Sequence, residues 1–541
     1  MSFRRLLQAV LIAGGLVLVG VGFWQWRRQP ARAPGAGPMR VAVMPYTDLT
    51  SDPGLDWVGD LVPTLMAARA EGLPEVRVVA VSTSGEAAAS GAARLVQGTY
   101  TGSADRLSFQ TQVEDIARHE MSSAETVSQP VLKSLETLSA LPARWSRAGK
   151  LQPFPTQSLP ALKAFAALRF DEAVKADPGL SIAWRAWGES AAQQNDRSLL
   201  RTVVARGSEA ASRFTPLEQA RWRVLAAQLS GDKAAFADAL VNVAKMLPQE
   251  VSLWDQAAAT ALSLWRIDQA IALYQAALKA SPNDGEIWNS LGYAYSYSGR
   301  LQDAMDALRN YARVAPETVN PLDSMGEVQL RAGRFTEAAQ AFEQAYAKDA
   351  NFLDGYTLFK AAVARYFAGD KGAAQSLADK YLAAVEARNP AVAELDRADW
   401  LYLLGKDAEA RAAMKKAAEL GPQFRPAIER RLKLDELGTA SAPPPGDLFR
   451  ALWLSARGEY AQAEALWRTI HAGTSPVEED LSREMLLACL IAEGKRDEAD
   501  KLKQVWPLPR GAGEILQNPP VLAIALRNRA SAAPRPSGGR S

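Results

Sequence analysis

Hydrophobic residues follow three patterns along the chain, and each pattern predicts a different kind of element. They run almost without interruption over residues 6–26, alternate or form short runs over 39–148, and recur every three to four positions over 158–510. The first pattern is typical of a membrane-spanning helix, the second of strands, and the third of helices with one apolar face. We therefore predict a mainly α-helical chain with a transmembrane helix and a small α/β domain before it.

The N-terminal apolar run predicts one transmembrane helix. Residues 6–26 contain no charged side chain, and about 20 helical residues cross the hydrocarbon core of a bilayer. Trp24 and Trp26 lie at the far end, where aromatic rings favour the membrane interface. Arg27 and Arg28 follow directly and mark the end of the segment.

The flanking residues bear on orientation and processing. Residues 1–5 include two arginines and favour a short cytoplasmic end, although the arginines within the linker 27–38 weaken this bias. The "ARA" at 31–33 resembles a small-residue cleavage site, so a cleaved signal peptide is the competing interpretation. Signal-peptide apolar regions are about 7–15 residues long, which favours a retained anchor.

Residues 39–148 predict a mixed sheet covered by helices. "MRVAVMPY" and "VRVVAV" read as strands, and "LDWVGDLVPTLMAARAEG" between them reads as a helix that kinks or restarts at Pro63. A hairpin follows, with its turn at "GSAD", and "VLKSLETLSALPARW" closes the domain as a helix.

This stretch resembles the TolB N-terminal-like domain in the order of its motifs. The matching positions, with Tyr46 where the family has Phe, are Pro45, Tyr46, Leu49, Ser51, Asp52, Pro53, Gly98, Asp105, Arg106, Leu107 and Gln110. The resemblance implies a non-catalytic domain of the kind found beside a membrane helix in envelope proteins and in the extracytoplasmic halves of membrane-bound regulators. It favours a periplasmic position for the C-terminal bulk of the chain, anchored in the inner membrane.

A 34-residue repeat occupies the middle of the chain. Trp288 corresponds to Trp254 one step earlier, and Gly292 corresponds to Gly326 one step later. Alanine also stands 34 residues before and 34 residues after Ala304. Small residues at such steps let two helices of one repeat cross closely. These positions resemble the tetratricopeptide repeat family, which implies an α-solenoid of stacked helix pairs. We expect the array at 158–437, a Pro-rich joint at 438–447, further repeats at 448–510, and a partly disordered tail at 511–541.

The resemblance implies that the first helix of each repeat lines a concave face that receives a protein or peptide. The inward positions of two consecutive repeats predict the contact residues, which are Glu286, Asn289, Tyr293, Tyr297, Asp323, Glu327 and Arg331. Tyr293 and Tyr297 lie one turn apart and offer rings of the kind that dominate binding energy. The alternative is that these side chains are only solvated or take part in packing.

Composition argues against several other functions. Charge is nearly balanced, with 62 Lys and Arg against 60 Asp and Glu, whereas nucleic-acid binding needs a basic surplus. The chain has two histidines, His119 at a predicted hairpin tip and His471 after a helix, and one cysteine, Cys489, in an apolar segment. No Cys/His zinc motif or phosphate-binding loop is present. We predict no enzyme, no cofactor and no metal site.

The patterns together favour a membrane-anchored scaffold or adaptor in the bacterial cell envelope. The repeat array would bind a protein partner, and residues 6–26 would hold the complex at the membrane. The alternative is a sensory or regulatory subunit of a membrane signalling system, with its output domain on another chain. A passive tether tolerates replacement by any apolar helix, whereas a signalling helix does not.

Overall fold

The computed structural model divides into two compact units. Of the described residues, one unit comprises 38–264 together with 276–282, and the other comprises 266–275 and the described residues from 283 onwards. The residues that the structure describes are 38–264, 266–425, 428–429, 432, 441–443, 446–470 and 485–505.

Several predicted features lie outside the described residues. They are the anchor at 6–26 with the segments on either side of it, His471, the tail at 511–541 and part of the joint at 438–447. Within the described ranges, no helix is both long enough and apolar enough to cross a membrane.

A six-stranded mixed sheet forms the N-terminal part of the first unit. Its strands are β1 Met39–Val43, β2 Thr47–Asp48, β3 Val76–Ala80, β4 Arg94–Ser103, β5 Arg106–Asp115 and β6 Glu120–Gln129. The order is β3–β1–β4–β5–β6, with β2 beside β4. β1 runs parallel to β3 and β4, whereas β4, β5 and β6 form an antiparallel meander. The predicted hairpin is β4–β5, and His119 lies in the turn between β5 and β6 with a φ of 53°.

Three helices accompany the sheet, namely α1 Trp57–Ala70, α2 Ser84–Ala89 and α3 Val131–Leu138. α1 continues through Pro63 without the predicted restart. Proline has no N–H to donate to the carbonyl four residues earlier, which is that of Gly59. The Gly59 carbonyl instead accepts a hydrogen bond from the backbone N–H of Tyr46 at 3.2 Å. The loop after β1 therefore satisfies the acceptor that Pro63 leaves open.

Two glycines allow Tyr46 to lie inside the sheet domain. A Cβ on Gly59 would lie 2.0 Å from the Tyr46 carbonyl oxygen, and a Cβ on Gly98 would lie 2.4 Å from the Tyr46 ring. The Tyr46 hydroxyl donates to Thr111 Oγ1 at 2.9 Å, so the buried ring keeps a polar partner. Any side chain at Gly59 or Gly98 would therefore displace this strand-to-helix loop.

The sheet domain and the first helices after it share one core. Leu162 belongs to the same buried cluster as Leu135 and Leu138 of α3 and Leu65 of α1. The expected boundary between an α/β domain and a separate helical array is therefore bridged by apolar packing within this unit.

Helices continue from residue 159 to residue 420. They are α4 Leu159–Ala166, α5 Phe170–Ala176, α6 Ser181–Gln193, α7 Arg197–Ala210, α8 Pro216–Ser230, α9 Lys233–Met246, α10 Val251–Ser263, α11 Ile267–Ala280, α12 Gly285–Tyr297, α13 Leu301–Val314, α14 Asn320–Arg331, α15 Phe335–Lys348, α16 Tyr356–Phe367, α17 Lys371–Glu386, α18 Pro390–Leu403 and α19 Asp407–Leu420. Beyond the predicted joint lie α20 Asp447–Ala456, α21 Tyr460–Thr469 and α22 Arg496–Val505. The chain is mainly helical, as predicted.

The repeat residues of the second unit act as the spacing predicts. Gly292 of α12 faces Leu308 of α13, and Gly326 of α14 faces the ring of Phe342 on α15. Gly299 connects the first pair of helices with a φ of 78°, a left-handed conformation that costs glycine little. Each pair of consecutive helices thus packs closely because the sequence supplies a small residue at the crossing.

Candidate functional site

Six of the seven predicted contact residues form one stripe on α12 and α14. Asn289, Tyr293 and Tyr297 repeat every four residues on α12, and so do Asp323, Glu327 and Arg331 on α14. The two helices meet through the Tyr293 hydroxyl, which donates to Glu327 Oε2 at 2.6 Å and contacts Ser324 Oγ at 3.3 Å. We call these six residues, together with Lys360 described below, the polar stripe.

Lys360 of α16 completes the polar stripe and was not predicted. Its Nζ donates to Asp323 Oδ2 at 2.7 Å and also to Glu327 Oε1. The hydroxyl of Thr357 donates to the other Asp323 oxygen at 3.3 Å. One ammonium therefore serves two carboxylates of the neighbouring helix.

The stripe is more buried than the prediction of a solvated groove implies. Asp323, Glu327, Arg331 and Lys360 are only 3%, 8%, 4% and 4% exposed, while Tyr293 and Tyr297 are partly exposed. The tyrosines therefore form the accessible edge, and the charged groups form a floor between α12, α14 and α16.

Burial and charge pairing oppose each other in this floor. Burial raises the pKa of Asp323 to about 6 despite the nearby Lys360 ammonium. Burial would also raise the pKa of Glu327, but the charge of Lys360 and hydrogen bonds from Lys360 and Tyr293 lower it overall. The two carboxylates hold the pKa of Lys360 above its ordinary value although burial acts in the opposite direction. Lys360 is therefore charged at neutral pH, and its positive charge compensates the buried carboxylates of both Asp323 and Glu327.

Arg331 differs from Lys360 because no described residue accepts a hydrogen bond from its guanidinium. Its Nε and both terminal nitrogens are buried and unpaired, and its Cζ lies 4.4 Å from the centre of the Tyr297 ring. The Tyr293 and Tyr297 ring centres are 6.3 Å apart. The side chain thus gains cation–π contact but no acceptor.

The remaining predicted residues fall into two cases. Asn289 lies on the stripe, and its buried Oδ1 has no hydrogen-bond donor in the described part of the chain. Glu286 is exposed and accepts instead from Tyr311 of α13 at 3.2 Å, so the structure does not bring it to the cluster. Glu286 is the predicted contact residue that lies apart from the others.

A buried acid on α18 and a cavity in the sheet domain are two further polar features. On α18, Asp396 accepts from the Tyr381 hydroxyl at 2.7 Å, and burial raises the pKa of this acid to about 7. A cavity of about 390 Å³ lies between β5, β6 and α3. Its charged side chains pair with one another, as with Lys133 and Glu136 at 3.0 Å. Among the described residues, no group of three acids, histidines or cysteines is placed to hold a metal.

A weak sequence signal marks Lys360. It is the sole charge among the apolar and small residues of "LFKAAVA", where a solvated lysine is not expected. The identity of its partners was not predictable, because Asp323 and Glu327 are more than 30 positions away and reach it only through helix stacking.

Comparison with known proteins identifies the kind of repeat. Residues 273–309, which include all of α12, match the family model described as a tetratricopeptide repeat. The chain is similar to human superkiller complex protein 3, at 29% identity over 85 residues, covering 16% of this chain and 5% of that protein. It is also similar to the peroxisomal targeting signal receptor of Candida glabrata, at 33% identity over 73 residues, covering 14% of this chain and 12% of that protein.

A solved tetratricopeptide repeat protein from Parabacteroides merdae is similar at 14% identity with a TM-score of 0.34, covering 51% of this chain and 98% of that one. The chain spans only a small part of the length of the two curated relatives. The family match therefore assigns a tetratricopeptide repeat to the region of α12 and leaves the partner to be found.

Proposed function

We propose that the protein is a membrane-anchored scaffold that binds a protein partner through the polar stripe, in the bacterial cell envelope. The observation that carries this proposal is the pair of adjacent, partly exposed tyrosines above buried polar groups that lack hydrogen-bond partners. Gly292 and Leu308 make the close crossing of α12 with α13, whereas Tyr293 and Tyr297 lie on the side of α12 that contacts α14.

The tyrosines supply the contact area for a partner. Tyr293 and Tyr297 are amphipathic, lose little side-chain entropy on binding, and lie on a helix within the matched repeat. The Tyr293 hydroxyl is already oriented by Glu327, so this ring is held in place before a partner arrives. A relative named as a targeting signal receptor is consistent with a role in recognising a segment of another protein.

The membrane part of the proposal rests on sequence. Residues 6–26 have the length and composition of a membrane span, and Arg4 and Arg5 favour a cytoplasmic N-terminus. The resemblance of residues 39–148 to the TolB N-terminal-like domain favours a periplasmic position for the rest of the chain. We accordingly propose a single-pass inner-membrane protein.

A regulatory subunit is the second candidate. It is favoured by the continuity of the first unit, where Arg221 of α8 donates to Glu71 at the end of α1 at 2.6 Å and Leu162 lies in the sheet-domain core. A sheet domain joined firmly to helices can transmit a movement, whereas a flexibly linked domain cannot. Replacing residues 6–26 by an unrelated apolar helix would preserve a tether and abolish a signal.

Partner binding is tested by chemical cross-linking in membranes followed by affinity purification of the full chain. We expect Tyr297→Ala to lose the partner that the unaltered chain retains. Tyr460→Ala is the matched control, since Tyr460 is 37% exposed on α21 and belongs to another pair of helices. Equal recovery of every partner with Tyr297→Ala would contradict the proposal.

The anchor is tested separately by membrane extraction and by a reporter fused after residue 541. We expect the protein to resist alkaline extraction, to keep its N-terminus, and to show a periplasmic reporter. Release into the soluble fraction with a shortened N-terminus would favour the cleaved signal peptide.

A further inference from the structure

Arg331 combines deep burial with unused hydrogen-bonding capacity. The residue is 4% exposed, and its three guanidinium nitrogens have no acceptor among the described residues. A guanidinium has five N–H donors in a fixed fork and remains charged at all ordinary pH values. Leaving such a group buried without acceptors opposes folding, so an acceptor brought by a ligand would be strongly favoured.

The acids of the polar stripe do not fill this role. Glu327 lies one turn before Arg331, but its two oxygens accept from Tyr293 and Lys360. Asp323 accepts from Lys360 and Thr357. Glu327 therefore attracts the positive charge of Arg331 electrostatically, but it accepts no hydrogen bond from the guanidinium.

The position of Arg331 makes it reachable from the accessible edge of the stripe. It is the last residue of α14, and its guanidinium lies against the ring of Tyr297, which is partly exposed. A partner side chain would reach the guanidinium after a rotation of the Tyr297 ring.

We propose that Arg331 binds the carboxylate of an Asp or Glu side chain from the partner's bound segment. This inference rests on the proposed function and specifies the chemistry of the partner. A carboxylate matches the guanidinium fork with two parallel hydrogen bonds. A phosphate carries a second negative charge that a carboxylate lacks. Asp323 and Glu327 lie on the same floor and would repel that additional charge, so a phosphate is disfavoured.

The probe for this proposal is a phage-displayed library of random twelve-residue peptides, selected on the purified full chain in detergent. We expect the enriched peptides to share an acidic residue at one position. Synthetic fluorescein-labelled copies are then titrated by fluorescence anisotropy against the unaltered chain, Arg331→Met, Tyr297→Ala and Arg309→Met. Arg309→Met is the matched control, because this exposed arginine lies on α13 outside the stripe.

We expect Arg331→Met to weaken binding about 10- to 100-fold, the range of a two-bonded charged pair. Replacing the shared acidic residue of the peptide by its amide should weaken binding equally, and combining the two changes should add little. Arg309→Met should leave the affinity unchanged. Amidating the C-terminus of the peptide should also have no effect.

Four outcomes would overturn the inference. Peptides that depend on Tyr297 but neither on Arg331 nor on an acidic residue would refute the carboxylate site and leave the proposed function standing. A loss caused by C-terminal amidation would assign the site to a chain terminus. Failure to enrich any peptide, or binding insensitive to Tyr297→Ala, would remove both proposals.

Discussion

At the scale of single residues, Lys360 has the most demanding position in the polar stripe. Its Nζ lies between Asp323 and Glu327, and all three side chains are at least nine-tenths buried. A buried ion pair adds little over an apolar replacement of the whole group, but removing one partner leaves an uncompensated charge. The stripe is therefore sensitive to loss of Lys360 alone.

Lys360→Met should reduce the free energy of unfolding by about 3–5 kcal/mol at pH 7.5, as is found when one partner of a buried pair is removed. This loss of stability should be smaller at pH 5. The two carboxylates left without Lys360 can then bind protons in the folded state, which removes their uncompensated buried charges. Urea denaturation at the two pH values measures this. Lys415→Met, at an exposed position of α19, should change little, and an equally small effect at Lys360 would contradict the assignment.

The raised pKa of Asp396 gives a second pH dependence of the free energy of unfolding. Burial raises the pKa of this acid to about 7, helped by Asp399 and opposed by the hydrogen bond from Tyr381. The folded state therefore holds a proton that the unfolded state releases above about pH 4, so stability falls as pH rises from about 4 to 7.

Asp396→Asn should remove that part of the pH dependence. At pH 8 the variant should be more stable than the unaltered chain by about 1–2 kcal/mol, a value reduced from the full shift because the side chain is partly hydrated. Thermal unfolding at pH 4.5 and pH 8 compares the two proteins. Parallel stability curves across this range would show that Asp396 is not held neutral.

These residues mark where prediction from sequence stops. The i, i+4 spacing placed Glu327 and Arg331 on one face of α14, because helical periodicity is a local property, and the 34-residue step made Glu327 the equivalent of Tyr293 on α12. The depth of burial and the link to Lys360 were not predictable, since they depend on how closely α12, α14 and α16 stack. Glu286 lies apart from the stripe because its hydrogen-bond donor Tyr311 is on the second helix of its own pair, and its role as a contact residue stays a prediction.

At the scale of elements, glycine at a helix crossing sets the distance between paired helices. A Cβ on Gly326 would lie 2.5 Å from the ring of Phe342, closer than such atoms can approach. The 34-residue step predicted this position and its equivalent Gly292 from sequence alone, because the spacing belongs to one helix pair. Continuation of α1 through Pro63 was not predictable, since it depends on a hydrogen bond from Tyr46.

Gly326→Val should therefore lower the free energy of unfolding by about 1–3 kcal/mol, the usual cost of an overpacked contact. Gly372→Val is the matched control, because Gly372 on α17 has no atom within 4 Å of its would-be Cβ. The control should change stability by less than about 0.5 kcal/mol, since valine and glycine differ little in helix propensity. Equal effects of the two substitutions, measured by urea denaturation, would exclude the crossing as their cause.

At the scale of the whole molecule, the first unit joins an α/β fold to helices through a shared core. Sequence patterning predicted both parts, at 39–148 and 158–437, but it left residues 149–157 between them unassigned. Leu151 and Phe154 of this stretch instead pack against the sheet-domain core, as does Phe165 of α4. The hydrophobic pattern of a strand or helix shows which of its faces is buried, but not which other element covers that face. The patterns of the sheet domain and of the helices therefore do not predict the contacts between them.

Removal of the sheet domain should therefore destabilise the helices that follow it. In a chain that begins at residue 158, the backbone amides of α4 should exchange with solvent at least about tenfold faster than in a chain that begins at residue 38, because Leu162 loses its apolar neighbours. Hydrogen–deuterium exchange with mass spectrometry makes the comparison. Unchanged protection of α4 would mean that the shared core contributes nothing to the array.

The central claim is that the polar stripe, rather than another surface of the repeats, contacts a protein partner. A photoreactive benzoylphenylalanine at position 297 of the full chain in living cells tests it directly, with the same group at exposed position 309 on α13 as reference. We predict one dominant adduct from position 297, absent from position 309 and lost when Arg331→Met is added. Equal adducts from both positions, or an adduct from position 309 alone, would contradict the account.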